Sequence, residues 1–285
     1  MTPGPEGSPP VTTEFTVGTV ARMLGIPVAT LRSWNRRYDL GPRRHLAGRH
    51  RLYTAADLAV ATRMVDLVQA GATPASAAQA ARAVLAPAPV PGEVGPVIAA
   101  AEHMNVSRLL DLISAHVTHH GVIPTWNSLC RPAFEHIVAE QQRGHGYIDV
   151  EHLMSWAITT SLHRCVPPLT EVDREPVVVL ACTEGEHHVL PLEVLRAALA
   201  ERGVAALLLG ANVPGDALAQ ALSRRSRPAV VVLWSQTSRT ATLGAIDARH
   251  GRVVPAGPGW RDTPEGRRCL GSLEEAVDAL SATGL

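Results

Sequence analysis

A chain of 285 residues with 46% hydrophobic and 18% charged side chains has material for two or three separate cores. Its apolar runs fall well short of the roughly 18 residues that span a bilayer, and its four cysteines (Cys130, Cys165, Cys182, Cys269) form no Cys-x-x-Cys pair. Those features exclude a helical membrane protein, a disulfide scaffold and a structural zinc site of the usual spacing, and they point to a cytoplasmic globular chain.

Residues 1–14 lack the basic-plus-apolar layout of a leader and read as a disordered tail. The formal net charge is zero, yet between Arg22 and Arg51 eight arginines face one acid, Asp39. Such clustering marks a surface for a polyanion. Thr16 is placed to cap a helix whose apolar positions are Val17, Val20, Ala21 and Leu24. Gly25-Ile26-Pro27 makes a tight turn, and the next helix, "VATLRSWNRRY", buries Val28, Leu31 and Trp34. It presents Thr30, Arg32, Ser33, Arg36 and Arg37 on the other side. This is a helix-turn-helix, followed by a basic hairpin, "PRRHLAGRHRLYT", and a further helix from Ala55.

Across residues 15–85, "TVARMLGIPVATLRSWNRRYDLGPRR…GRHRLYTAADL" resembles the winged helix-turn-helix DNA-binding domain of MerR-family regulators. The resemblance implies that Thr30, Arg32, Ser33, Arg36 and Arg37 face bases and phosphates of an operator duplex, and that Arg43, Arg44, Arg49, His50, Arg51 and Tyr53 form the wing.

A Pro-rich linker, "APAPVPGEVGP" (86–96), then leads to four helical stretches over 97–166, read as a small bundle. The bundle is rich in histidine. His116, His119 and His120 share a helix face near its C-terminus, where cationic side chains are favoured in any case, and no acid or cysteine completes a metal set.

After a second Pro-rich break, residues 176–285 alternate continuous apolar runs with amphipathic helices: "PVVVLAC", "PLEVLRAALAERG", "VAALLLG", "PGDALAQALSRR", "PAVVVLWS", "GRVVPAGPGW" and "SLEEAVDALSA". That pattern predicts a doubly wound parallel sheet of α/β type, with ligands expected beyond the carboxyl ends of the strands. The loop "TEGEHH" there carries Glu186-x-His188, a carboxylate placed to orient an imidazole as metal-ligating histidines require. The loop "SQTS" ends a central strand with hydroxyls, and "GPG" allows close backbone approach. No Gly-x-Gly-x-x-Gly follows the first strand, which disfavours a dinucleotide.

Those loops resemble the cobalamin-binding domain, whose Asp/Glu-x-His-x-x-Gly loop supplies a cobalt ligand. The order of head, helical cap and α/β domain is similar to that of the light-responsive CarH/LitR-type repressors, which use adenosylcobalamin. The resemblance implies a regulator, not an enzyme, that binds operator DNA as a homo-oligomer (dimer or tetramer). It makes His188 the metal ligand and Glu186 its partner, Ser235 and Thr237 the hydroxyls of a slot for the nucleotide tail, and Gly257 with Gly259 the glycine segment. In the cap it makes Glu151-His152 a ligand-facing pair. Gln141 and Gln142 stand where the family has Trp-His, and Pro191 and Pro258 stand where it has glycine. The residues themselves leave three other readings open: the same fold holding a linear tetrapyrrole, haem or another small molecule, a ligand-free oligomerisation domain, or a corrinoid methyltransferase component.

Overall fold

The computed structural model describes residues 14–42, 52–85, 87–169, 177–243, 251–260 and 269–282. The wing residues Arg43, Arg44, Arg49, His50 and Arg51 and nearly all of the N-terminal tail lie outside the described residues. The chain forms two compact units, one of residues 1–69 with 73–87, the other of 88–285 with 70–72. Among the described residues no helix is long and apolar enough to cross a membrane.

In the first unit, β1 (Phe15–Thr16) leads into α1 (Val17–Met23), capped by the Thr16 hydroxyl, which accepts from Thr19 N at 3.2 Å. Gly25 takes φ +65°, the left-handed geometry that the turn before α2 (Val28–Tyr38) demands. β2 (Leu52–Tyr53) pairs antiparallel with β1, setting Phe15 opposite Tyr53. α3 (Ala55–Gln69) and α4 (Pro74–Arg82) complete the unit, α4 with Thr73 as cap and Pro74 in its first turn. Val20, Ala21, Leu31, Tyr53 and Ala61 make its core.

The second unit begins with a helical bundle: α5 (Gly95–Glu102), α6 (Val106–His120), the short α7 (Val122–Thr125), α8 (Arg131–Gln142) and α9 (Ile148–Cys165). α6 packs along α9, burying Leu109, Ile113, Met154 and Ile158. Two histidines of α6 are spent on backbone: His116 sets its ring nitrogens against Leu112 O (2.8 Å) and Val90 O (3.3 Å), and His120 Nε2 lies 2.9 Å from Pro89 O. They hold the segment before α5 in place. Between α7 and α8, Trp126–Cys130 winds as a π-helix, an irregularity often found beside functional sites.

The rest of the unit is a four-stranded parallel sheet in the order β4-β3-β5-β6, formed by β3 (Val178–Cys182), β4 (Ala206–Gly210), β5 (Ala229–Trp234) and β6 (Gly251–Ala256). β3 is buried along its whole length and β5 up to Leu233, which is why both read as unbroken apolar runs. α10 (Leu190–Glu201) packs against α9 and α12 (Leu273–Ser281), while α11 (Gly215–Ser223) buries Leu218 and Leu222 with Val179, Val231 and Leu233. The first strand of the sheet, β3, is flanked by β4 on one side and β5 on the other, so the winding direction reverses there. Cys182, Trp234 and Ala256 are register partners at the level carboxyl ends of β3, β5 and β6. A crevice opens at such a reversal because the two connections leave in opposite directions.

Candidate functional site

On the first unit, α2 exposes Arg32, Arg36 and Arg37, with Thr30 and Ser33 half-buried beside them. Leu31 and Trp34 turn inward and fix the helix on the core. Arg36 and Arg37 fall in its last turn, where positive charge also suits the helix dipole. Tyr53 departs from expectation. It is only 1% exposed, its ring belongs to the core, and its hydroxyl lies against the Asn35 side chain. Its pairing with Phe15 draws it inward, so its ring packs in the core and is not exposed on the surface of the unit.

In the second unit the crevice is organised by Glu186. Its carboxylate is almost fully buried and accepts four hydrogen bonds. Oε1 takes His188 N (2.9 Å) and His188 Nδ1 (2.5 Å), and Oε2 takes Gln236 N (2.7 Å) and Thr240 Oγ1 (2.9 Å). Burial raises the pKa of this acid, but the donors from His188, Gln236 and Thr240 outweigh burial and bring it to about 2. Glu186 is therefore a fixed anion, and His188 Nδ1 lies against it. Nε2 is then the ring nitrogen turned away from Glu186, on a side chain that is 60% exposed and borders a large cleft. Nearby, burial and then the charge of Glu186 push the Cys182 thiol up to about 12, so it stays protonated.

The loop is braced from a third strand. Asn212, after β4, donates its N–H to Glu186 O (2.7 Å) and accepts from Gly185 N through Oδ1 (2.7 Å). Pro191 falls in the first turn of α10, where a missing N–H costs nothing. The change from glycine at that position is thus absorbed by the helix start.

The hydroxyl and glycine residues behave differently from the expectation. Ser235 is fully buried, donating to Thr237 O (2.9 Å) and bonding Thr240 Oγ1 (2.7 Å), so it braces the Glu186 network and does not line a slot. Thr237 is exposed and bonds the same Thr240 hydroxyl (3.1 Å). A Cβ on Gly257 would meet Ser235 O at 2.5 Å, and one on Gly259 would meet Thr237 O at 2.5 Å. The glycines let the loop after β6 close onto the loop after β5. Gly257 borders the cleft, whereas Gly259 is buried beneath it.

The cleft, of about 1690 Å³, is walled by the bundle on one side and the carboxyl ends of the strands on the other. From the bundle come Gln142, Glu151 and His152, together with an aromatic wall of Trp126, Phe134 and Trp156. Trp126 and Phe134 pack with centroids 6.4 Å apart, and the π-helical segment carries Trp126. Gln141 does not border the cleft but donates through Nε2 to Glu151 Oε2 at 2.6 Å, holding that carboxylate in place. The sheet side contributes His188, Leu192, Trp234, Gln236 and Gly257. The residues that sequence reasoning missed are Thr240, Gln236, Asn212 and the aromatic wall. Thr240, Gln236 and Asn212 act through contacts distant in sequence.

Comparison with known proteins agrees with this arrangement. Residues 15–84 match the model of the MerR HTH family regulatory protein. The HTH-type transcriptional repressor CarA of Myxococcus xanthus is 30% identical over 226 residues, covering 76% of this chain and 75% of that protein. The HTH-type transcriptional repressor CarH of the same organism is 26% identical over 246 residues, covering 80% of each. A solved structure, the monomethylamine corrinoid protein of Methanosarcina barkeri, superimposes with a TM-score of 0.50 at 13% identity, over 66% of this chain and 96% of that one, which establishes a shared fold. With an exposed recognition helix on one unit and a cap-and-sheet fold of corrinoid-protein type on the other, the chain belongs to the MerR-type family of DNA-binding transcriptional regulators that includes CarA.

Proposed function

We propose that the second unit is a sensor that binds a corrinoid in the cleft between bundle and sheet, and that its occupancy controls operator binding by the first unit. The observation that carries this reading is the buried Glu186 anion fixing Nδ1 of His188 and leaving Nε2 free on a ring that borders a cleft of about 1690 Å³. When bound, the corrinoid would supply a cobalt centre able to take a nitrogen ligand from the chain. The chain's own residues do the rest. His188 would hold the cobalt through Nε2, Glu186 would orient its ring through Nδ1, and residues of the bundle would line the other side of the cleft.

Adenosylcobalamin is the form we expect. Glu151, held by Gln141, offers an acceptor for sugar hydroxyls, and Trp126, Phe134 and Trp156 offer flat apolar surface for a purine. Gln142 carries no imidazole, so a light response here would not use a histidine at that place. The regulator acts as a homo-oligomer in the cytoplasm, pairing heads to match half-sites spaced by helical turns of DNA.

The test is the absorption spectrum of protein purified with hydroxo- or adenosylcobalamin. Corrin absorption co-eluting with the wild type and lost from His188→Ala supports the reading. A wild type that elutes colourless, or a His188→Ala variant that binds equally well, overturns it. Gel retardation of the promoter fragment in dark and light then separates ligand control from light control.

A further inference from the structure

We infer that the second unit carries a surface of its own for duplex DNA, formed by Arg224, Arg227 and Arg252 at the amino end of the sheet. That end is opposite the cleft, and the inference stands apart from the corrinoid reading. Helices that follow parallel strands run back against them, so α10, α11 and α12 begin at the cleft end of the sheet and finish at its amino end. Their first turns carry Glu193, Asp216, Glu274 and Glu275. At the other end, Arg202 and Arg224 are the C-caps of α10 and α11, Arg227 lies in the turn before β5, and Arg252 is the second residue of β6. All four arginines are exposed. Among the described residues of this layer the acids at that end are Glu201 and Asp278, and both are engaged. Glu201 accepts from Val122 N, and Asp278 lies 3.9 Å from Arg202. Arg224, Arg227 and Arg252 form no ion pair among the described residues.

Helix dipoles account for part of this separation, since acids suit the start of a helix and arginines its end. They account for Arg202 and Arg224 but not for Arg227 or Arg252, which lie outside helices. The register of the sheet brings these groups to one level. Gly251 pairs with Ala229 and Arg252 with Val230, so Arg252 stands beside the start of the strand that Arg227 leads into. Ala229 and Val231 pack with Leu218 and Leu222 of α11, and Val253 joins them. Arg252, next to Val253 on the strand, therefore turns to the opposite face, and the arginines flank the amino end of the sheet from both sides. Unpaired guanidinium groups spread over one end of a layer suit the evenly spaced phosphates of a duplex and need no pocket. The chain is a DNA-binding regulator, so a duplex held by the first unit meets the second at a high effective concentration, and weak contacts of this kind then count.

The experiment compares the full-length wild type, Arg36→Ala, and two triple variants, Arg224→Ala/Arg227→Ala/Arg252→Ala and Arg224→Lys/Arg227→Lys/Arg252→Lys. Binding to the promoter fragment is followed by fluorescence anisotropy over a range of salt, with and without aquacobalamin. Thermal midpoints and corrin absorption are read on the same samples. For the alanine triple the expected affinity is about tenfold or more lower at about 0.1 M salt, with a slope of log affinity against log salt smaller by about 2 to 3. The lysine triple should keep both, because phosphate neutralisation needs only the charge. The loss should add to that of Arg36→Ala, since the two surfaces are separate. An alanine triple with the wild-type slope overturns the inference, as does a wild type that binds no duplex. So does a loss that the lysine triple shares, or one that comes with a lower midpoint, since either assigns the arginines to the folded structure. If the alanine triple changes only co-sedimentation with phosphatidylserine vesicles, the surface belongs to a membrane and the inference fails. Failure of the corrinoid reading shows separately, as missing corrin absorption with the DNA slopes untouched.

Discussion

Glu186 shows how much one side chain can organise. Four donors converge on it, from its own loop and from the loop after β5, and they keep it ionised in a buried place. Replacing it by Gln keeps the shape but removes the charge that orients His188 through Nδ1. Glu186→Gln should therefore bind cobalamin about 10- to 100-fold more weakly, read by spectroscopic titration, with the far-ultraviolet circular dichroism of the folded chain retained. An unchanged affinity would deny Glu186 its orienting role. The two-residue spacing of Glu186 and His188 was legible in the sequence because a contact that short is set by the local backbone. Thr240 was not, since it reaches Glu186 across 54 residues and only the pairing of β3 with β5 brings the two together.

At the scale of elements, α2 was readable from its apolar spacing, with Leu31 and Trp34 inward and the arginines outward. An exposed arginine on such a helix contributes to duplex binding by neutralising phosphate. Arg36→Ala should weaken binding to the promoter fragment and reduce the slope of log affinity against log salt by about 1, measured by fluorescence anisotropy. A slope that does not change would remove Arg36 from the phosphate contacts. Tyr53 was misread for a definable reason. Its neighbours in sequence are basic and polar, but β2 pairs with β1, and that pairing drives its ring into the core between α1, α2 and α3. Ser235 was misread in the same way. A hydroxyl at a strand end looks available for a ligand, but the tight closure of the glycine loop over it leaves it bonding its own chain.

Across the second unit as a whole, bundle and sheet are joined through α10. Both oxygens of Glu201 accept from Val122 N at 3.1 Å, and Asn127 hydrogen-bonds Glu274. His163 of α9 meets Glu193 of α10 at 3.0 Å, and Glu193 also accepts from Arg196 Nε at 3.2 Å. Arg196 is buried, and burial lowers its pKa although Glu193 opposes this. For Glu193, burial raises the pKa, and His163 and Arg196 more than reverse this, so the folded value lies below the ordinary one. A depressed folded pKa contributes stability that is present above the unfolded value, about 4.3, and is lost as pH falls through the folded value. Glu193→Gln should lower stability at pH 7 by about 1.5–3 kcal/mol, because it leaves the Arg196 charge unpaired. It should also flatten the fall in stability as pH drops below about 4.3. Urea denaturation across that range measures both. Parallel pH profiles for variant and wild type would show that the ion pair does not join the two layers.

By itself the sequence determined which segments are helix and which are strand, the MerR-type head, and the local Glu186–His188 pair. Each of these depends on hydrophobic period or on contacts a few residues apart, and such information is carried by neighbours along the chain. Only the tertiary structure decided which polar groups are free to act. It turned Tyr53 and Ser235 inward and added Thr240 and Asn212 around Glu186. The reason is that burial and hydrogen-bond satisfaction are properties of a packed neighbourhood, and here that neighbourhood is assembled from strands and loops tens of residues apart.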